Sequence, residues 1–121
     1  MTNRNLFLTA LCLSAFVSCT NTSPNDLSDN TPVSGTVSYA QNVKSIMDAN
    51  CIQCHGAIPT NGAPMSLTTY DNVKQAVLNR GLLNRINRQM GDGLLMPQGG
   101  PKLPQNKIDV VQVWQSQGFN Q

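Results

Sequence analysis

Apolar residues recur every three to four positions through most of the chain after residue 38, which is the spacing of amphipathic helices. The predicted helices cover 39–50, about 71–80, 82–90 and about 104–117. Asp71 is the candidate cap of the second helix, Pro104 suits the first turn of the last one, and Gly118 suits its C-terminal stop. No segment alternates with a period of two between turn signals, so the pattern predicts an all-α fold.

Two long segments between the predicted helices are rich in proline and glycine. They cover about 57–68 and 91–104, and neither can hold a regular element for long. Loops of this length are uncommon in a small domain unless they surround something or carry a function. We therefore expect three to five short helices and long ordered loops wrapped around a bound group.

The first 36 residues differ in character from the rest of the chain. Residues 1–18 carry an apolar run that is typical of a secretory signal and too short to span a bilayer. The end of this run resembles a bacterial lipobox with Cys19 as the lipidated first mature residue; an ordinary secreted protein with another cleavage site is the alternative. Residues 19–36 are polar and predict a flexible tether, which leaves 37–121 as one domain.

The composition argues against several kinds of function. The 8 Lys and Arg residues form no cluster, so we expect no nucleic-acid partner. The acidic residues are 6 scattered Asp, which gives little support to a hydrolase with paired carboxylates. The chain has 1 Trp, 2 Tyr and 3 Phe, and Phe7 and Phe16 belong to the predicted signal segment. A domain of this size is then short of apolar bulk, and a large apolar cofactor would supply it.

The sequence Cys51-Ile52-Gln53-Cys54-His55 is the strongest chemical signal in the chain. Two cysteines two residues apart, followed at once by histidine, form the attachment pattern of c-type haem. In a helical segment Cys51, Cys54 and His55 would share one face. Both thiols could then reach the vinyl groups at one edge of a porphyrin, and the imidazole could reach the iron. We therefore expect one covalently bound haem c.

Two other uses of the cysteine pair have to be weighed against haem. A thioredoxin-like dithiol normally lies near a βαβ pattern, and the sequence shows no strand signal. A structural zinc site needs four ligands, whereas Cys51, Cys54 and His55 supply three. Cys19 is a poor fourth ligand because the polar tether separates it from the motif. Both alternatives are therefore weaker than haem.

The order of helix, cysteine motif, loops, Met-Pro and closing helix resembles a small class I cytochrome c domain of the kind found in bacterial lipoproteins. The resemblance rests on residues 51–56, on the loop 96–103 and on the last helix with Trp114 and Gly118, and it covers about 39–119. It implies a cytochrome c-like fold in which Trp114 meets the first helix. It also implies a haem iron with His and Met as axial ligands.

The resemblance assigns roles to the residues of the motif. Cys51 and Cys54 would form the two thioethers. His55 would be the proximal ligand of the iron through one ring nitrogen. Its other ring nitrogen would donate to a backbone carbonyl between about 59 and 64, which fixes the tautomer and tunes the iron.

Several methionines compete for the distal position. Met96, followed by Pro97 and two glycines, is the best candidate. Met47 lies in the first predicted helix and suits the core, and Met65 is too close in sequence to the proximal side. Met90, at the expected end of a helix, is the main rival, and an open distal site is the remaining possibility.

The surroundings of the haem can be predicted only in outline. The apolar residues expected to line the pocket are Leu67, Leu82, Leu83, Ile86, Leu94 and Leu95. The cations nearest to the Met loop in sequence are Arg80, Arg85, Arg88 and Lys102. One of these cations could pair with a haem propionate, although a solvated helix face is the better interpretation for any single one.

These observations predict an electron-transfer protein rather than an enzyme. With His55 and Met96 on the iron, substrate could not reach it, and one-electron cycling would remain. The alternative is a haem protein whose open or labile distal site binds small ligands or gives weak peroxidase activity. The expected partners are redox proteins such as an oxidase, reductase or dehydrogenase. We expect a monomer on the periplasmic side of a bacterial membrane, anchored by lipid on Cys19 or otherwise secreted.

Overall fold

The computed structural model describes residues 32–121, and these residues form helices without any strand. Helix α1 begins with the π-helical turn Tyr39–Val43 and continues as the α-helix Lys44–Asn50. The bounds of the later helices are Tyr70–Asn79 for α2, Leu82–Asn87 for α3 and Gln105–Ser116 for α4. The all-α prediction is therefore confirmed for the described part of the chain.

The predicted signal segment 1–18, Cys19 and most of the predicted tether lie outside the described residues. Within 32–121, none of the helices combines the length and the apolar character needed to cross a membrane.

Helix α1 forms where the apolar stripe predicted it. The hydroxyl oxygen of Ser38 accepts a hydrogen bond from the backbone N–H of Gln41, so one of the first donors of the helix is satisfied. The stripe of Tyr39, Val43, Ile46 and Met47 is buried in the core. Burial of this face, more than intrinsic propensity, holds so short a helix in place.

The start of α2 differs from the prediction. Thr69, not Asp71, is the N-cap, and its side-chain oxygen accepts a hydrogen bond from the backbone N–H of Asn72 at 3.2 Å. Thr69 has extended backbone angles, as an N-cap requires, while Asp71 lies inside the first turn. There the carboxylate faces the positive end of the helix dipole, which is the other position that favours an acidic residue.

Helix α3 is shorter than the predicted 82–90. Its end is set at Arg88, whose backbone is extended, and Met90 is 65% exposed in the loop that follows. Gly81 joins α2 to α3 with a φ of +68°, a conformation that glycine adopts without steric cost.

Helix α4 brings the only tryptophan into the centre of the core. Trp114 is fully buried, and its ring centroid lies 5.9 Å from that of Tyr39, 5.8 Å from that of Tyr70 and 4.8 Å from that of Phe119. Its indole N–H donates to the carbonyl of Asn120 at 2.7 Å. The expected contact between Trp114 and the first helix is therefore present.

The segment before α1 is tied to the residues that follow α4. The side chain of Gln117 accepts a hydrogen bond from the N–H of Val37 at 2.8 Å and donates one to the carbonyl of Gly35 at 2.9 Å. The backbone N–H of Tyr39 donates to the carbonyl of Asn120 at 2.9 Å. We call this arrangement of residues 33–39 and 117–120 the clasp. Val33 also packs against the core, so contacts begin before the expected domain boundary at residue 37.

Candidate functional site

The cysteine motif lies directly after α1, in a series of turns rather than in a regular helix. The backbone N–H of Cys51 donates to the carbonyl of Met47 at 2.8 Å and so continues the bonding of α1. The carbonyl of Cys51 then accepts from the N–H of Cys54 at 3.2 Å and from that of His55 at 2.9 Å. The bonds of these turns therefore retain the spacing of one helical turn, which is the local arrangement that the motif predicted.

Cys51, Cys54, His55 and Met96 all line one cavity of about 690 Å³. Its size lies in the range typical of small-molecule and cofactor sites. The cavity is built by the end of α1, the loop around 61–67, helix α3 and the loop 96–100. The structure thus brings together the four residues that the sequence singled out, although 40 residues lie between His55 and Met96 in the chain.

The imidazole of His55 is oriented by a single backbone contact. Its Nδ1 lies 2.8 Å from the carbonyl oxygen of Met65, so Nδ1 carries the proton and donates it to this bond. The lone pair of the neutral ring is then on Nε2, the nitrogen available to a metal. The sequence predicts a partner carbonyl between about 59 and 64, and the observed carbonyl belongs to Met65, the next residue in the chain.

The loop that presents the Met65 carbonyl is pinned back onto the motif. The N–H of Leu67 donates to the carbonyl of His55 at 2.8 Å, and the N–H of Thr60 donates to the carbonyl of Cys54 at 2.8 Å. The loop is thus closed on both sides of Met65. These backbone bonds could not be read from the sequence because they depend on how the loop folds back.

Met96 is held over the cavity by a contact with α3. Its backbone N–H donates to the carbonyl of Arg85 at 3.2 Å, and Met96, Pro97 and Gly99 all line the cavity. The peptide bond between Met96 and Pro97 is cis. Met90, the rival methionine, is not among the lining residues, and its sulfur accepts a hydrogen bond from the N–H of Lys102 at 3.3 Å.

Met47 and Met65 lie where the sequence predicts them. Met47 is 1% exposed and fills the core. Met65 lines the cavity but belongs to the loop that orients His55. Among the described methionines, Met96 is therefore the one whose position in the chain and in the cavity both suit a distal ligand.

The two thiols are unbonded to each other and lie in different surroundings. Burial raises the pKa of the Cys51 thiol to about 11. The sulfur of Cys54 lies 3.4 Å from the side-chain nitrogen of Asn61, which donates to it. Because Cys51 stays protonated near neutral pH, it is a poor attacking thiol for disulfide exchange. Its environment suits a thiol that becomes an uncharged thioether.

Among residues 32–121, the charged residues that line the cavity are Arg80 and Arg85, and no carboxylate from this range accompanies them. Arg88 and Lys102, the other cations considered, do not line it. The two guanidinium groups make the cavity suitable for a ligand that carries negative charge at its edge.

The apolar lining agrees only in part with the prediction. Leu67, Leu82 and Ile86 line the cavity, whereas Leu83, Leu94 and Leu95 do not. Leu94 is 45% exposed, and Leu95 is buried elsewhere in the fold. For Leu94 and Leu95 the reason is that the loop 91–95 has no period, so its inward side cannot be read from spacing. Leu83 lies in α3 and packs against the core instead.

Within residues 32–121, no group of three or more His, Cys, Asp or Glu side chains is arranged to hold a metal ion by itself. The zinc alternative therefore gains no support from the described part of the chain.

Searches of protein-family models, of curated proteins and of solved structures found no match to this chain.

Proposed function

We propose that this protein is a one-electron carrier that holds one haem c through thioethers at Cys51 and Cys54. His55 would be the proximal ligand and Met96 the distal ligand. The proposal rests on one observation above all: these four residues line a single cavity of about 690 Å³. The cytochrome c-like fold is part of the same proposal, since the helical architecture alone is compatible with other all-α arrangements.

The donor set of the cavity fits a haem. The motif supplies two sulfurs on neighbouring turns, and the hydrogen bond from His55 Nδ1 to the Met65 carbonyl leaves Nε2 for the iron. The lining that residues 32–121 supply combines apolar side chains with two arginines and no carboxylate, which matches a large apolar ring with anionic propionates. No part of this set suits an ion bound by oxygen ligands.

The residues around the cavity would then restrict what the cofactor does. A bound haem would supply one-electron chemistry between Fe(II) and Fe(III). The neutral thioether of Met96 would favour the reduced state, and His55 and Met96 as its two ligands would leave no coordination position for a substrate. The hydrogen bond to the Met65 carbonyl would keep the His55 tautomer the same in both redox states. This arrangement supports a role as a carrier, without catalysis.

The location and partners of such a carrier belong to the same proposal. The N-terminal pattern supports export and a lipid on Cys19, which would keep a monomeric carrier beside a membrane. Its partners would be other redox proteins, such as an oxidase, a reductase or a dehydrogenase. Attachment of haem outside the cytoplasm agrees with such a location.

Absorption spectroscopy of the exported full chain, produced with a haem-attachment system, tests the proposal. We expect haem that resists acid–acetone extraction, a six-coordinate low-spin spectrum and the far-red band of methionine-ligated ferric haem. The Met96→Ala variant should lose this band, since the thioether is gone. Met90→Ala is the matched control, because Met90 is exposed and outside the cavity lining.

Each other outcome has a definite meaning. Covalent haem with a high-spin spectrum, unchanged by Met96→Ala, would replace the carrier with a haem protein whose distal site is open. Loss of the band in Met90→Ala instead would identify the rival methionine as the ligand. Absence of retained haem would refute both haem functions and return the cysteines to thiol chemistry.

A further inference from the structure

Asp92 lies at the centre of the loop that connects α3 to Met96. One carboxylate oxygen accepts from the guanidinium of Arg88 at 2.7 Å, and the other accepts from the backbone N–H of Leu94 at 2.8 Å. The carbonyl of Asp92 accepts from the N–H of Leu95 at 3.0 Å. One residue thus binds the loop both to the residue that caps α3 and to the two residues before Met96.

The far end of the same loop is also fixed to α3. The N–H of Met96 donates to the carbonyl of Arg85, one helical turn before the Arg88 that pairs with Asp92. Polar contacts therefore fix the segment 88–96 to α3 at Met96, and Asp92 fixes the middle of the segment to Arg88. Asp92 itself is half-buried and does not line the cavity, so its contacts act on the loop and not on a ligand.

Few apolar contacts hold this loop, so its polar contacts matter more; besides those of Asp92 described above, the Asp92 N–H donates to the carbonyl of Gln89 at 3.2 Å and the Met90 sulfur accepts from the N–H of Lys102 at 3.3 Å. Met90 is 65% exposed and Leu94 is 45% exposed, so neither side chain anchors the loop in the core. Leu95 is the buried apolar residue of the segment. The Arg88 guanidinium and the Leu94 N–H hold the pKa of the Asp92 carboxyl below its usual value, so both contacts are made by the charged form at neutral pH.

We propose that Asp92 is a positioning residue for the distal ligand: its bonds to Arg88 and Leu94 hold the loop so that Met96 stays over the cavity. This inference rests on the proposed function, in which Met96 ligates the iron. Dissociation of Met96 requires the loop to open, and the bonds of Asp92 oppose that opening. Weaker bonds would raise the population of the open loop and give small ligands access to the iron.

Imidazole titration of the ferric full chain, haem-loaded, measures this population because imidazole competes with Met96. In Asp92→Ala we expect imidazole to bind about tenfold tighter, as loss of hydrogen bonds to a charged group predicts. The far-red band should weaken, and the amides of Leu94 and Leu95 should exchange hydrogen faster. Asp48→Asn is the control, because Lys44 and Asp48 form another ion pair at the same i,i+4 spacing within the described residues.

Two further variants separate the two bonds and protect the test against misfolding. Asp92→Asn keeps an oxygen that can accept from the Leu94 N–H but loses the charge that faces Arg88. We expect an intermediate affinity for imidazole in this variant. Arg88→Gln should resemble Asp92→Asn, because it removes the same ion pair from the other side.

Each result decides for or against the inference. If Asp92→Ala and Asp48→Asn bind imidazole equally and exchange amides equally, Asp92 has no positioning role, while the proposed function stands. If imidazole binding changes in both aspartate variants, the effect is general charge loss and the inference fails. If the unmodified protein shows no methionine-ligated haem, the proposed function fails first, and the inference fails with it.

Discussion

At the scale of single residues, the structure separates side chains that the sequence groups together. Cys51 and Cys54 are equivalent in the motif, yet burial raises the pKa of the first thiol, and an amide donates to the second sulfur. The cause is position: Cys51 ends α1 against the core, whereas Cys54 faces the loop that carries Asn61. The motif thus defines which atoms react, and the fold defines the environment of each.

The raised pKa of Cys51 makes its chemistry dependent on pH. In the haem-free chain, iodoacetamide should label Cys51 slowly until the pH approaches about 11, because only the thiolate reacts. The same thiol in urea should react from about pH 9, its ordinary range. Mass spectrometry of the peptide that contains Cys51 measures both profiles. Equal labelling at pH 8 in native and urea-containing buffer would contradict the buried thiol.

The same shift affects folding stability. Above pH 9 the unfolded thiol ionises while the folded thiol stays protonated, so the unfolded state binds fewer protons. The protonated Cys51 thiol therefore contributes to the stability of the haem-free chain below about pH 9, and this contribution is lost as the pH rises toward about 11.

At the scale of elements, the helices were predictable and their ends were less so. The apolar stripes of α1 and α4 survive in the core because burial is what stabilises helices this short. Asp71 is a suitable cap by residue type, but the structure shows that Thr69, also of a suitable type, has the extended backbone angles that the cap position requires. The end of α3 was misplaced because Met90 continued the spacing of the stripe without being buried.

Helix α4 offers a quantitative test of the core. Trp114→Ala should reduce the free energy of unfolding by about 3–5 kcal/mol, because a large buried ring is removed among three aromatic neighbours. Val113→Ala, on the same helix and only partly buried, should cost clearly less. Urea unfolding followed by circular dichroism of the haem-loaded chain compares them. Similar losses for the two variants would show that Trp114 is not the centre of the core.

At the scale of the whole molecule, the sequence named the four residues of the candidate site, but not the structure that surrounds them. Cys51, Cys54, His55 and Met96 follow from a short motif and a Met-Pro pair, which are local signals. The Met65 carbonyl and the loop contacts of Asp92 are backbone features, and any residue type can supply a carbonyl. Contacts of this kind depend on the path of the folded backbone, so composition and residue spacing do not predict them.

If the cavity holds the proposed haem, the charge of the cavity predicts how the reduction potential of that haem responds to substitution. Arg85→Gln should then lower the potential by on the order of 50 mV, because a nearby guanidinium would oppose the extra positive charge of the ferric state. The substitution keeps the Arg85 carbonyl that accepts from Met96. Lys107→Gln, a cation of α4 outside the cavity lining, is the control. A potential that rises, or that changes equally in both variants, would contradict the prediction.

The clasp places the two ends of the described chain next to each other. Because residues 33–39 are bound to 117–120, residue 32 and Gln121 both adjoin the same set of hydrogen bonds. The residues that line the cavity lie within 50–67 and 80–100 and include neither part of the clasp. A reporter fused after Gln121 would therefore be joined to the fold beside residue 32, through residues that take no part in the cavity lining.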